Sequence, residues 1–163
     1  MRSILMRSTL VVFRRTTLAA LGAALLFSTA SAWGHCEIPC GIYGDDLRFS
    51  LIEENLTTVE KSMKMIDELA GDPGNANQVA RWVANKEKHA DDIREIVTQY
   101  FLTQRIKIPA EGDAAAHEAY SQKVVLLHQM MVYAMKCKQT TDAANVEKLH
   151  ALAHEFKALY QAK

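Results

Sequence analysis

The chain has 163 residues, 49% of them apolar, and a formal net charge of zero. This length fits a single domain, the apolar content excludes wholesale disorder, and the neutral balance provides no basic face for nucleic acid. Residues 1–34 contain four of the 19 basic residues and no acidic one, which leaves 15 basic against 19 acidic side chains in the rest. We therefore expect any attraction for anions to arise from the local placement of charge.

The first 34 residues have the pattern of a cleaved targeting segment. Four arginines come first, the ten-residue apolar run Leu18–Phe27 follows, and the small residues Ser28–Ala32 end the pattern. This order is typical of a secretory signal, and the run is much shorter than the roughly 20 residues that span a bilayer. We predict a cleaved signal or propeptide over 1–34, a periplasmic or secreted product, and no stable membrane anchor after cleavage. A cytoplasmic protein with a cleaved propeptide is the alternative.

Two cleavage points fit the residues at the end of this segment. A cut after Ala32 leaves Trp33 and Gly34 on the mature chain, whereas a cut after Gly34 makes His35 the new N-terminus. Both satisfy the small-x-small pattern that signal peptidases prefer. The chemistry of the residues that follow favours the second cut.

Four amphipathic stretches follow an irregular head, and each has its core positions at spacings of three and four. Asp45 or Asp46 is expected to cap the first helix, and Asp142 the fourth. The stripes run from Leu47 to Ala70, from Val79 to Tyr100, from Tyr120 to Ala134 and from Val146 to Tyr160. Turn-forming residues at 71–75 and 108–112 separate the first three helices. The pattern predicts an all-α fold, an antiparallel up-down-up-down four-helix bundle over 45–163 that follows an irregular metal-binding segment over 35–43.

Some apolar residues lie off these stripes. Trp82 with Val83 in the second helix, and Leu126 with Met130 in the third, widen the apolar face. A face wider than a core requires is typical of subunit contacts.

Residues 35–43 form the strongest candidate site, because Cys36 and Cys40 flank Pro39 directly after His35. A disulfide is one interpretation, since exported proteins meet an oxidising compartment, and it would suit a non-catalytic exported helical module that binds or carries metal. Zinc is a second interpretation, but no fourth ligand of usual spacing lies nearby. A redox metal at a free N-terminus is the third.

The third interpretation gives roles to groups that the other two leave unused. Cleavage before His35 would join its α-amine and the Cys36 amide nitrogen to the thiolates of Cys36 and Cys40. Such a planar set of two nitrogens and two sulfurs suits nickel(II) or copper(II), and its strong donors bring nickel(III) within reach. The His35 imidazole can then bind axially to the oxidised metal. A metal that alternates between two oxidation states can oxidise one superoxide to oxygen and reduce the next to peroxide.

The pattern His35-Cys36-x-x-Pro39-Cys40-Gly41-x-Tyr43 closely resembles the nickel hook of nickel-containing superoxide dismutases. Weaker similarity extends into the helices, notably at Asn85–His89 and Tyr100-Phe101. The resemblance implies superoxide as substrate, one nickel ion per subunit alternating between Ni2+ and Ni3+, and a processing peptidase. It also implies a homohexamer in which each hook, residues 35–43, is held between subunits.

The resemblance also assigns roles within the hook. His35, Cys36 and Cys40 would be the nickel ligands, with His35 and Tyr43 as the catalytic residues. Pro39 would fix the turn of the hook, and Tyr43 would use its hydroxyl to order water and small anions near the metal.

The supporting residues depart further from the family pattern. Glu37 occupies a position where the family carries aspartate, and His89 replaces an intersubunit arginine. Glu53 corresponds to the carboxylate that holds the histidine ring, if two residues are inserted after Tyr43. Leu102 replaces a lysine, which makes Arg105 and Lys107 candidates for guiding anions.

Two further groups of metal-binding residue types lie in the helices. Cys137 is predicted to be a buried free thiol, far in sequence from the hook. His150 and His154 lie one helical turn apart and could bind a metal together, but no third ligand is evident from the sequence.

Overall fold

The computed structural model describes residues 44–162, which form four α-helices. They are α1 Asp45–Leu69, α2 Ala76–Glu95, α3 Ala114–Gln139 and α4 Ala143–Gln161. A short 3-10 helix, Pro73–Asn75, precedes α2, and a π-helical segment, Ile96–Arg105, continues from its end. Within residues 44–162 there is no strand. Helices with the length and apolarity to cross a membrane are also absent from this range. The all-α prediction is confirmed.

One apolar core receives side chains from all four helices. Each helix packs against the next along the chain, and α1 also packs against α4. The predicted stripes are confirmed at their centres, as at Val59 in α1, Ile93 in α2, Leu127 in α3 and Leu149 in α4, none of which is exposed. The spacing of three and four therefore identified the core face of every helix.

The predicted stripe of α1 is wrong at both ends, since Leu47 and Ala70 are exposed. Leu47 is 48% exposed, whereas Phe49, Ile52 and Leu56 are buried beside the predicted positions. The core face of α1 is thus wider than the predicted stripe and begins at Phe49. Two residues of the predicted subunit surface are also misassigned, because Leu126 and Met130 lie in the core of this chain.

Aspartates begin three of the helical segments. The carboxylate of Asp72 accepts a hydrogen bond from Gly74 N at 2.8 Å, that of Asp113 from Ala116 N at 2.9 Å, and that of Asp142 from Ala144 N at 3.0 Å. Each bond satisfies a backbone N–H that has no partner inside its helix. The predicted cap at Asp142 is confirmed.

The start of α1 differs from the prediction. Gly44 is the N-cap and no side chain caps the helix, so the prediction of a cap at Asp45 or Asp46 is wrong. Both aspartates lie in the first helical turn, where negative charge is favourable beside the positive end of the helix dipole. The carboxylate of Asp45 is directed to partners on other elements instead.

The π-helical segment was not predicted. Its wider turns close with Ile106 N donating to Phe101 O at 2.9 Å, and the Thr103 hydroxyl donates to Thr98 O at 2.7 Å. Such segments are rare and frequently lie at functional sites. Here the segment buries Tyr100 and Phe101 together and carries Arg105 towards the start of α1.

An aromatic cluster fills the core beneath the start of α1. The ring centroid of Phe101 lies 5.0 Å from those of Phe49 and Phe156, and 5.5 Å from that of Tyr160. Its contacts with Phe156 and Tyr160 are edge-to-face, a favourable arrangement for aromatic quadrupoles. This cluster ties α1, the π-helical segment and α4 together where the chain enters from the hook.

A buried lysine of α2 binds the C-terminal end of α3. Lys86 is 4% exposed, and its Nζ donates to the carbonyl oxygens of Cys137 at 2.8 Å, Lys138 at 2.5 Å and Thr140 at 3.2 Å. These carbonyls belong to the C-terminal end of α3, where backbone oxygens lack helical partners. The burial of Lys86 is thereby explained, since its charge is solvated by carbonyl oxygens.

Candidate metal centre

The predicted hook lies outside the described residues, and so do its ligands His35, Cys36 and Cys40 and its supporting residues Glu37, Pro39 and Tyr43. The described chain begins at Gly44, directly after the hook. Its first helical turn therefore determines the point from which the hook departs.

Asp45 is the most strongly bonded residue at this point. Its Oδ1 accepts hydrogen bonds from the Tyr100 hydroxyl at 2.6 Å and from Arg105 Nε at 2.8 Å, and lies 2.7 Å from Arg105 Nη2. Its Oδ2 accepts a hydrogen bond from the Tyr160 hydroxyl at 3.0 Å. These four residues, here named the Asp45 anchor, join α1 to the π-helical segment and to α4.

The anchor shifts the pKa values of its members in the directions that stabilise it. Burial alone would raise the pKa of the Asp45 carboxyl, but the hydrogen bonds from Tyr100, Arg105 and Tyr160 outweigh burial and hold the pKa below its ordinary value. Burial and the bond to Asp45 raise the pKa of Tyr100, and raise that of Tyr160 to about 12. At neutral pH the anchor therefore consists of an ionised carboxylate, a guanidinium and two neutral phenols.

Arginine side chains bring positive charge close to the start of α1. The guanidinium carbons of Arg48 and Arg105 lie 5.1 and 5.2 Å from the ring centroid of Tyr100. Arg105, a predicted guide for anions, is also ion-paired with Asp45, whereas Lys107 is exposed. Residues 35–163 contain 15 basic and 19 acidic side chains, so the attraction of an anion there depends on local positive charge of this kind.

The predicted supporting residues Glu53 and His89 have different neighbours. His89 Nδ1 lies 2.6 Å from Oδ1 of the buried Asn55. Because an amide oxygen only accepts, Nδ1–H of His89 is the donor in this contact. Glu53 faces α4, where its carboxylate lies beside His150 and His154.

Cys137 is a free, fully buried thiol, as predicted. Burial raises its pKa to about 11, so it stays protonated at neutral pH, and the nearby Lys86 only partly opposes this shift. A metal ligand must be a thiolate. Cys137, buried and protonated, is therefore unsuited to bind a metal.

One comparison with known proteins identifies a family for this chain. A family model described as nickel-containing superoxide dismutase matches residues 28–163, a range that includes the hook and all four helices. The comparisons with curated proteins and with solved structures gave no match. The chain belongs to the nickel-containing superoxide dismutase family, whose members are oxidoreductases with nickel as their metal.

Proposed function

We propose that this protein disproportionates superoxide to oxygen and hydrogen peroxide at a nickel ion held by the processed hook. The observation that carries the proposal is the family match across residues 28–163, which includes His35, Cys36 and Cys40 at the spacing of the family's hook. The proposed ligands are the α-amine and imidazole of His35, the Cys36 amide nitrogen, and the thiolates of Cys36 and Cys40.

The chemistry of this donor set fits nickel. Thiolates and nitrogens suit late transition metals, whereas magnesium and calcium prefer oxygen ligands. When bound, nickel supplies a one-electron couple between Ni2+ and Ni3+, so that two superoxide ions and two protons give one oxygen and one hydrogen peroxide.

The residues of the chain support this chemistry in distinct ways. Pro39 fixes the turn between the two cysteines, and the Tyr43 hydroxyl orders water and small anions beside the metal. Two residues later, the Asp45 anchor holds the first turn of α1 with four short contacts, of which the longest is 3.0 Å. A fixed departure point reduces the conformational freedom that the hook loses when it closes around the ion.

Three supporting residues complete the proposed site. Glu37 supports the hook from within, and Glu53 accepts a hydrogen bond from the His35 ring, orienting it as carboxylates orient metal-bound histidines. His89, whose Nδ1 is bonded to Asn55, contributes to a subunit contact in a homohexamer. The exposed Val83 and the half-buried Trp82 on α2 offer apolar surface for such contacts.

The proposal extends to topology and processing. Short connections and the packing of each helix against the next support an antiparallel up-down-up-down bundle over 45–163. A peptidase removes residues 1–34 by cutting after Gly34, and the arginine-first, apolar leader supports a periplasmic or secreted enzyme.

Nickel content and superoxide activity of single cysteine variants test this function. Cys36→Ser and Cys40→Ser are expected to lose both nickel and activity, because each removes a thiolate ligand. Cys137→Ala is the matched control, since its thiol is buried and protonated, and it is expected to keep both. Activity with zinc or without metal would exclude the nickel mechanism. A nickel-free, inactive protein with a Cys36–Cys40 disulfide would instead support an exported helical module without catalysis.

A further inference from the structure

A second group of metal-binding side chains lies where α1 meets α4. Glu53 of α1 and His150 and His154 of α4 each offer one ligand atom, and these atoms all lie within 4.8 Å of one another. The two histidines are one helical turn apart, so they share a face. The sequence alone indicates only the two histidines as a pair, and the packing of α1 on α4 adds Glu53 as the third ligand.

The distances between the ligand atoms of the cluster are close to those between neighbouring ligands of a bound metal ion. Glu53 Oε2 lies 3.8 Å from His150 Nδ1, and Glu53 Oε1 lies 3.8 Å from His154 Nε2. With metal–ligand bonds of about 2.1 Å, neighbouring ligands of a tetrahedral ion lie about 3.4 Å apart. Small rotations of the half-buried Glu53 and His150 and of the exposed His154 are enough to close this difference.

A polar atom without a partner provides independent support. His150 Nε2 is buried and has no hydrogen-bond partner, although Glu60 Oε2 lies 3.7 Å away. Metal-bound histidines commonly donate their other ring N–H to a carboxylate. If Nδ1 of His150 binds an ion beside Glu53, its Nε2–H is directed towards Glu60, and both ring nitrogens have a role.

We propose that Glu53, His150 and His154 bind a divalent transition-metal ion of the zinc(II) or nickel(II) class, with Glu60 orienting His150. Two imidazoles and a carboxylate suit these ions better than magnesium or calcium. Three protein ligands leave a position for water. The carboxylate of Glu53 has about four lone-pair sites in total, so it can bind the ion and still accept a hydrogen bond from His35.

None of the three ligands belongs to the hook, so the site can be measured while the hook binds no nickel. The full-length chain carrying Cys36→Ser and Cys40→Ser lacks both sulfur ligands of the hook. Calorimetric titration of this variant with Zn2+, and separately with Ni2+, is expected to show binding of a single ion per chain. X-ray absorption of the loaded protein is expected to show only nitrogen and oxygen ligands, at about 2.0–2.1 Å for zinc.

Substitutions within the cluster identify the ligands. His154 is 67% exposed, so His154→Ala leaves the core intact and is expected to weaken binding at least about 10-fold. Glu60→Gln is expected to weaken it about 10-fold through loss of the orienting carboxylate. The controls are His128→Ala, on the exposed surface of α3, and Glu54→Gln, beside Glu53, and both should bind as the parent does.

Three results would overturn the assignment. They are failure of both Zn2+ and Ni2+ to bind, unchanged affinity in His154→Ala, and a sulfur ligand in the absorption spectrum. The same titration of the nickel-loaded wild-type protein provides a second measurement that does not depend on the folding of the cysteine variant. There, one additional zinc ion per chain is expected, and none would count equally against the site.

Discussion

The Tyr100 hydroxyl donates a 2.6 Å hydrogen bond to Oδ1 of Asp45 across 55 positions of the sequence. Asp45 is the first residue of α1, and Tyr100 lies in the only π-helical segment of residues 44–162. The bond therefore fixes the start of α1 to the π-helical segment. In the proposed function, the anchor fixes the start of α1, which follows Tyr43 by two residues.

Asp45→Asn is expected to lower the free energy of unfolding by about 2 kcal/mol, because charge-assisted hydrogen bonds become neutral ones. Asp45 is partly exposed, which keeps the effect well below that of a fully buried pair. Urea unfolding of the two proteins at pH 7 measures the difference. Asp67→Asn, at an exposed position of α1, is the control and is expected to change the stability by less than about 0.5 kcal/mol. Equal effects of both substitutions would refute the anchor.

The anchor also predicts how stability depends on pH. The pKa of Asp45 is lower in the folded chain than its ordinary value of 3.8, so the unfolded chain binds this proton first as pH falls. The stabilisation is complete above that ordinary value and is lost as pH falls through the folded pKa. The pKa of Tyr160 is raised to about 12, so its contribution is complete below the ordinary value of 10.0 and is lost as pH rises through about 12.

The free energy of unfolding, measured from pH 2 to pH 5, tests the predicted loss of stability in acid. The wild-type protein is expected to lose more stability over this range than Asp45→Asn, which lacks the titrating group. Tyr160→Phe tests the alkaline limb, where the variant is expected to show a weaker loss of stability above pH 10 than the wild type. Parallel pH profiles of wild type and variants would show that the anchor does not titrate as described.

Lys86→Met is expected to destabilise the fold by about 2 kcal/mol. The methionine keeps most of the apolar stem, but the carbonyl oxygens of Cys137, Lys138 and Thr140 lose their common donor. The desolvation that lowers the pKa of Lys86 limits the net loss, since the ammonium group itself is costly to bury. Thermal and urea unfolding measure the effect.

Lys64→Met is the control for this substitution. Lys64 has a side chain that is 76% exposed and pairs with Glu68 at 3.8 Å within α1. A surface pair of this kind contributes little, so a change within about 0.5 kcal/mol is expected. A comparable loss in both variants would mean that the carbonyls at the end of α3 do not depend on Lys86.

Two substitutions in the hook separate metal binding from turnover. His35→Ala retains the α-amine and the thiolates but loses the imidazole, so nickel is expected to remain bound while turnover falls at least about 100-fold. Tyr43→Phe is expected to retain nickel and to change the access of substrate or product. Metal analysis and superoxide kinetics on the same samples measure both effects. Equal loss of nickel in the two variants would contradict the assigned roles.

The helices were predictable because their signal is local. Spacings of three and four identified the core face of α4 from Val146 to Phe156. The start of α4 was predictable because the side chain of Asp142 bonds to Ala144 N, only two residues away. The hook is predicted from an equally local pattern, since its ligand types lie within six consecutive residues. Sequence patterns confined to a few turns of chain can be recognised without knowledge of the three-dimensional fold.

The missed features depend on residues that meet only after folding. Asp45 pairs with Arg105 and Tyr160, which are 60 and 115 positions away, so its sequence neighbours suggested an ordinary cap. Glu53 reaches His150 in the same way through the packing of α1 on α4. Leu126 and Met130 were assigned to a subunit surface because their side chains lie off the main stripe, although the core is wide enough to bury them.

The mature N-terminus tests the central claim most directly, because one proposed nickel ligand exists only if cleavage creates it. Intact-mass spectrometry of the purified, nickel-loaded and active enzyme, with sequencing of its first peptide, identifies that terminus. The proposed mechanism predicts a chain that begins at His35. An equally active enzyme that begins at Trp33, or that retains the leader, would contradict it, since the α-amine of His35 would then be part of a peptide bond.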